Sequence, residues 1–257
     1  AFHQVAIGAE HVGEVIDDLV AWPVEPVRQP TFGQGHAHRI GHTLSQGPGG
    51  RFYSWSMPEF GTFNLHASLL PQYRGAAPIH WAIINGENKT GVTTFFIDEK
   101  IDTGEIILSS ETTIEPDETA GQLHDRLMVL GGKLVLDTVK LIAQGSVTTK
   151  PQPTIEQPKT AYKLFKDNCK LDLNSSLDSL YNKIRGLSPY PTAWCTLQNG
   201  QDQLDLKIYK AKKDCAKHNF EIGELIADKK NLKVAVKDGF LKLLEVQLDG
   251  KRKMDIL

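Results

Sequence analysis

The sequence predicts a chain of the α/β class in two parts: a first domain on a mainly parallel sheet, then a small C-terminal β-barrel. Three observations carry this. From residue 61 to 144, β-rich runs alternate with helical ones, the pattern of a sheet covered by helices. Residues 145–159, GSVTTKPQPTIEQPK, hold three prolines and no apolar period, which marks a linker. Short strand-like runs then follow at even spacing, split by turns such as QNGQ and KDG. The expected bounds are 1–144 for the first domain, with 1–55 atypical, 145–159 for the linker and 160–257 for the second domain.

The elements follow in order. GTFNLHASLL (61–70) alternates apolar and polar residues, so it is a strand. Pro71 and Gly75 break the chain into a loop, and Pro78 suits the first turn of a helix, APIHWAIINGE, ended by Gly86. GVTTFFID (91–98) is β-branched and aromatic, hence a strand. DTGE (102–105) is a turn, and IILSSETTI a further strand. Residues 118–144 form the clearest helix. Leu123, Leu127, Leu130, Leu134 and Leu141 recur at helical steps, and Gly145 closes it. Asp117, or Thr119 with Gln122 three residues on, can cap its start. A helix over about 176–187 precedes the strand-like runs AWCTL, LDLKIYKA, IGELIA, LKVAV and FLKLLEVQL.

Composition narrows the class. The 257 residues are 40% hydrophobic and 23% charged, with a formal net charge of −2, the profile of a globular protein. No apolar run approaches the roughly 18 residues of a membrane helix, and no basic-then-apolar leader opens the chain. Cys169, Cys195 and Cys215 are odd in number and far apart, so neither a disulfide framework nor a zinc ribbon is expected. Reduced thiols predict a cytoplasmic protein without membrane contact. Charge is uneven: residues 160–257 hold 18 Lys and Arg against 13 Asp and Glu, and the first 159 residues are acidic. All lysines lie at or after Lys89, while five of the nine histidines fall in the first 42 residues. The first 55 residues thus differ in composition from the rest.

The residues most suggestive of chemistry are polar ones on the strand at 61–70. Alternation puts Asn64 and His66 on one face, with Ser68 on the same side. A polar row is best tolerated at the carboxyl end of a strand, where α/β sheets open into a ligand crevice. A carboxamide and an imidazolium side by side can donate to an oxyanion forming at an attacked carbonyl. A carboxylate would favour the charged imidazole and relay protons. Asp102 is the candidate, with Thr103-Gly104 after it allowing close backbone approach. On periodicity alone, a lone strand histidine is as readily a packed core residue. His36, His38 and His42 lie close together but lack carboxylate or thiol support, so no metal is expected. FGQGHAH is not a dinucleotide fingerprint.

The stretch NLHASLLPQYRGAAPIHWAIINGENKTGVT, with DEKIDTGEII after it, resembles the 10-formyltetrahydrofolate-dependent formyltransferase family. The resemblance rests on Asn64-x-His66, the Ser68-Leu69-Leu70-Pro71 loop and Asp102 in an Asp-x-Gly turn, 36 residues after His66. RGAAPI, KIRGLSPYPTAW (183–194) and VAVKDGFLKLLEVQLDGKRKM resemble the members that act on methionyl-tRNA. The similarity spans about residues 55–257, and residues 1–55 match none of the family's opening motifs.

The resemblance implies a Rossmann-like catalytic domain followed by an oligonucleotide-binding (OB-like) barrel. It implies formyl transfer from 10-formyltetrahydrofolate, without metal, to the α-amine of initiator methionyl-tRNA for translation initiation. Asn64, His66 and Asp102 would be catalytic, and Ser68, Leu69, Leu70 and Pro71 would line the folate site. Lys207, Lys210, Lys212 and Lys213, with Lys217, form a strip able to meet phosphate, or a solvated edge strand. Arg74 is a candidate contact to the tRNA acceptor end, or a solvated loop residue. A monomer is expected. The alternatives are a formyltransferase acting on a small amine, and a catalytically impaired tRNA-binding relative.

Overall fold

The computed structural model describes residues 5–6, 58–199, 201–228 and 230–256. His36, His38 and His42, and nearly all of the atypical 1–55 segment, lie outside the described residues. The first sheet has four strands, β1 (Val5–Ala6), β2 (Thr62–His66), β4 (Lys89–Phe96) and β5 (Ile106–Thr113), in the order β1-β2-β4-β5. Every described pair in it is antiparallel. Among the described residues the sheet is thus antiparallel rather than mainly parallel as expected. The β4–β5 connection spans residues 97–105, shorter than the dozen or more residues a parallel crossover needs. The β2–β4 connection holds a loop and the short helix α1 (Pro78–Ile84), and β4 returns alongside β2.

Helix α2 (Ala120–Ala143) covers the sheet with Leu123, Leu127, Leu134, Val139 and Ile142, all buried. Thr119, not Asp117, is its cap. The Thr119 hydroxyl accepts from the Gln122 amide, and the Gln122 carboxamide accepts from the Thr119 amide at 2.9 Å, a reciprocal capping box. Gly131 explains itself by packing: a Cβ there would lie 2.6 Å from Leu65 Cδ2 on β2. Glycine costs about 1 kcal/mol in a helix interior, and here it lets helix and strand approach.

The second domain places helix α3 (Leu177–Leu187) on a curled antiparallel sheet. Ser176 caps α3 by accepting from the Ser179 amide. The sheet runs β7 (Ala193–Asn199), β8 (Asp202–Asp214), β11 (Gly239–Leu248), β10 (Leu232–Val236), β9 (Leu225–Ala227), with β12 (Met254–Asp255) also on β11. A register irregularity where Lys210 faces Glu245 bends the long β8–β11 ladder. The hydrogen-bonded path ends at β7 and β9 without closing among the described residues. The expected barrel is therefore a half-barrel here, with Leu180, Ile184, Leu241 and Leu243 in its core.

The two domains meet through α1 and α3. A Cβ on Gly186 would lie 2.8 Å from Ile84 Cγ1, so the helices cross closely. His80 Nδ1 pairs with the Gly186 carbonyl oxygen at 2.8 Å, and the Gly121 amide donates to the Ser188 carbonyl at 3.0 Å. Arg185 is buried at this junction, its guanidinium donating to the Glu118 carbonyl. The Pro-rich segment does not run free between the domains. Lys150 bridges to Ile106, and β6 (Thr160–Ala161) pairs in parallel with β3 (Arg74–Gly75).

Candidate active site

β2 buries Phe63 and Leu65, and Asn64 and His66 line a cavity of about 530 Å³, within the range of small-ligand sites. Asp102 shares that cavity, as do Gly75, His80, Gly121, His124 and Tyr190. The three residues singled out in the sequence thus come together. His66 Nδ1 lies 3.7 Å from Asp102 Oδ2, with both side chains largely shielded from water. Asp102 Oδ2 also accepts from the Gly75 amide at 2.9 Å. Asn64 Oδ1 is buried and finds no hydrogen-bond partner among the described residues, so the site offers an unused polar atom beside the imidazole.

The loop after β2 orients the histidine. His66 Nε2 lies 2.8 Å from the Tyr73 carbonyl oxygen. A carbonyl only accepts, so Nε2 carries the hydrogen, and Nδ1 is the nitrogen left for chemistry. Tyr73 adopts φ 58°, a left-handed conformation costing about 1–2 kcal/mol for a residue with a Cβ. Its neighbours hold it there. The Tyr73 hydroxyl donates to Glu87 at 2.5 Å and accepts from Asn85, and its amide donates to the Lys159 carbonyl at 2.6 Å. Burial, then the Glu87 bond, raises the phenol's pKa well above its ordinary range. Glu87 titrates lower than usual: burial opposes this, but bonds from Lys159 and Tyr73 outweigh it.

Asp102 is also left-handed, at φ 55°. The Thr103-Gly104 pair after it does what the sequence suggested. A Cβ on Gly104 would fall 1.6 Å from the Phe96 carbonyl oxygen, so only glycine lets the turn lie against β4. Gln152, from the Pro-rich segment, donates to the carbonyls of Asp102 and Gly104 at 2.9 and 2.8 Å. Its carboxamide oxygen accepts from Arg74 at 2.5 and 3.1 Å.

The family model for formyl transferase matches residues 55–139, and that for the formyl transferase C-terminal domain matches residues 163–257. The chain belongs to the formyl transferase family. It is 60% identical over 202 residues to the methionyl-tRNA formyltransferase of Flavobacterium johnsoniae. It is 50% identical over 209 residues to that of Phocaeicola vulgatus. Each match covers 79% of this chain and 64% of the relative, so the chain spans under two thirds of either relative's length. Among solved structures, the fold is similar to the N-formyltransferase of Helicobacter canadensis crystallised with folinic acid and dTDP-3-aminofucose. The TM-score is 0.58 and the identity 22%, covering 75% of this chain and 66% of that one.

Other expected site residues lie elsewhere. Ser68, Leu69, Leu70 and Pro71 do not line the cavity around His66. Ser68 is fully buried, and its hydroxyl donates to the Gln72 carbonyl at 2.7 Å. The Leu70–Pro71 peptide is cis. The loop closes on itself, the Gln72 amide donating to the Leu69 carbonyl at 3.1 Å just before Tyr73. Arg74 is turned to Gln152. The lysine strip is split. Lys207 lines a hollow with Trp194 and Tyr190, while Lys210 and Lys212 line another with Tyr181 and Arg185. Lys213 pairs with Asp178 at 2.6 Å.

Sequence reasoning missed Tyr73, Gln152, His80, His124 and Tyr190. The Tyr73 carbonyl and the Gln152 carboxamide carry no motif. Tyr190 sits in LSPYP, noted for resemblance but not as a cavity wall. Its 80% exposure marks a large aromatic surface left open at the mouth of the site.

Proposed function

We propose that this chain transfers a formyl group from 10-formyltetrahydrofolate to the α-amine of initiator methionyl-tRNA, in the cytoplasm and as a monomer. The observation that carries this reading is the cavity itself: Asn64, His66 and Asp102 on one wall, Tyr190 of the basic second domain on the other. The relatives at 60% and 50% identity are methionyl-tRNA formyltransferases, which supports the same acceptor. The folate-bound fold neighbour fits a folate donor, which would sit in the cavity with the Ser68–Pro71 loop supporting it from behind. The first domain, Rossmann-like to about residue 144, would hold the donor. The OB-like domain from about 160, joined through 145–159, would hold the RNA.

As the amine attacks the formyl carbon, negative charge grows on the formyl oxygen. Asn64 and His66 Nδ1–H would donate to it, a role worth about 3 kcal/mol per donor. Asp102, 3.7 Å from His66 Nδ1, would hold the imidazole in place and help carry the amine proton towards the leaving nitrogen. The unpartnered Asn64 oxygen suits acceptance from the incoming amine. Lys207, Lys210 and Lys212 would meet phosphate, with Lys213 already paired to Asp178, and Arg74, held by Gln152, would face the acceptor end. Exposed Phe165 and Tyr190 lie near lysines, a combination that suits stacking of unpaired bases.

The test supplies 10-formyltetrahydrofolate with either charged initiator methionyl-tRNA or a dTDP-amino sugar. Formylation of the tRNA alone is expected. Turnover of the sugar nucleotide alone would assign the small-amine alternative, and salt-sensitive tRNA binding with no turnover the non-catalytic one.

A further inference from the structure

We propose that Gln152 is a positioning residue for Asp102, so that the Pro-rich segment forms part of the catalytic apparatus; this rests on the formyl-transfer reading above. Asp102 sits in a left-handed conformation on the turn between β4 and β5. Among the described residues, two protein groups hold its peptide and carboxylate in register with His66. The Gly75 amide fixes the carboxylate at 2.9 Å. Gln152 fixes the backbone, its two amide hydrogens going to the Asp102 and Gly104 carbonyls. The carboxamide orientation is not arbitrary. Two carbonyls on one side need a donor, and the Arg74 guanidinium on the other needs an acceptor, so only one assignment of nitrogen and oxygen satisfies all three.

Gln152 is itself fixed by the path of its segment. The Lys150 amide and carbonyl both pair with Ile106, at 2.9 and 2.8 Å. Downstream, the Ala76 amide donates to the Ala161 carbonyl at 2.7 Å. The segment is thus a strap pinned at both ends, with Gln152 reaching under the Asp102 turn. A flexible spacer joining two domains would need none of these bonds.

Gln152→Glu separates positioning from mere anchoring. The carboxylate keeps its size and its bond from Arg74, but cannot donate to either carbonyl. Two measurements on the full chain decide the matter. In steady-state formyl transfer, kcat should fall about 10- to 100-fold, the scale of a misplaced catalytic group. KM for both substrates should stay within about twofold, since only uniform binding moves KM alone. In amide hydrogen exchange, Gly75, which depends on the Asp102 carboxylate, should lose protection. Tyr73 and Ala76, which depend on the Lys159 and Ala161 carbonyls, should keep theirs.

Unchanged kcat with Gly75 still protected would overturn the proposal. So would loss of protection at Gly75, Tyr73 and Ala76 together, which would make Gln152 an anchor of the strap only. If the wild-type chain fails to formylate methionyl-tRNA, the functional reading fails instead, and the exchange pattern alone still decides whether Gln152 holds Asp102.

Discussion

Gly104→Ala tests whether the Asp102 turn must lie against β4 for activity. The new Cβ would be built 1.6 Å from the Phe96 carbonyl oxygen and 2.8 Å from its carbon. Real Cβ contacts stop near 3.0 Å, so the turn would have to retreat by roughly 1.4 Å. The strand cannot yield. Phe96 is held by the Phe63 pairing, and the next amide, Ile97, donates to the Thr62 carbonyl at 2.8 Å. The turn therefore moves, and Asp102 shifts with it relative to His66 Nδ1. Misplacement by about 1 Å costs on the order of 100-fold in rate, so kcat should fall at least that far. The two Gln152 bonds would stretch or break, at about 1 kcal/mol each. With some residual overpacking of about 1 kcal/mol, the loss is about 3 kcal/mol, or roughly 6–12 °C in Tm at this size. Initial rates of methionyl-tRNA formylation at a temperature where circular dichroism shows the variant folded, with a thermal scan alongside, give both numbers. A folded variant with wild-type kcat would refute the claim that this close approach sets Asp102.

Three further outcomes are expected. Glu87→Gln should destabilise the protein at neutral pH; because the Glu87 carboxyl titrates below its unfolded value, its contribution is present above that unfolded value and fades as pH falls through the folded one, so the Tm gap between wild type and variant should close in acid. Lys207→Gln with Lys210→Gln should weaken tRNA binding and lower the slope of log affinity against log salt by about 2 if both meet phosphate, whereas Lys213→Gln, already paired with Asp178, should change that slope least. In native protein a thiol reagent should label exposed Cys215 first: Cys169 and Cys195 are buried, and burial pushes the Cys195 thiol up to about 11, leaving almost no thiolate at neutral pH; mass spectrometry of labelled peptides checks this.

What the sequence made legible follows local physics. The alternation in GTFNLHASLL placed Asn64 and His66 side by side, because strand periodicity is a property of neighbouring residues. The capping box at Thr119 and the leucine stripe of α2 were visible for the same reason. Gly104 after Asp102 pointed to close approach, and 1.6 Å to Phe96 is that approach. Strand direction was not legible, since alternating strands and helices look alike until connection lengths fix the pairing. Nor was the use of the strap. Three prolines in 145–159 describe backbone stiffness, and say nothing of a carboxamide at Gln152 placed under a turn 50 residues earlier. The lysines of β8 read as one strip, and Lys207, Lys210 and Lys212 are all exposed, but Lys207 lines one hollow and Lys210 and Lys212 another. Tyr73 gave no signal, because the group that matters is its carbonyl, turned to His66 by a left-handed backbone.

The most direct test of the account is His66→Ala, with formylation rate and tRNA affinity measured on the same preparation. The structure leaves His66 Nδ1 as the nitrogen facing Asp102 and the cavity, so its loss should lower kcat by about 100- to 1,000-fold, the value of one oxyanion donor, and leave tRNA affinity unchanged. A variant that formylates methionyl-tRNA at close to the wild-type rate would contradict it.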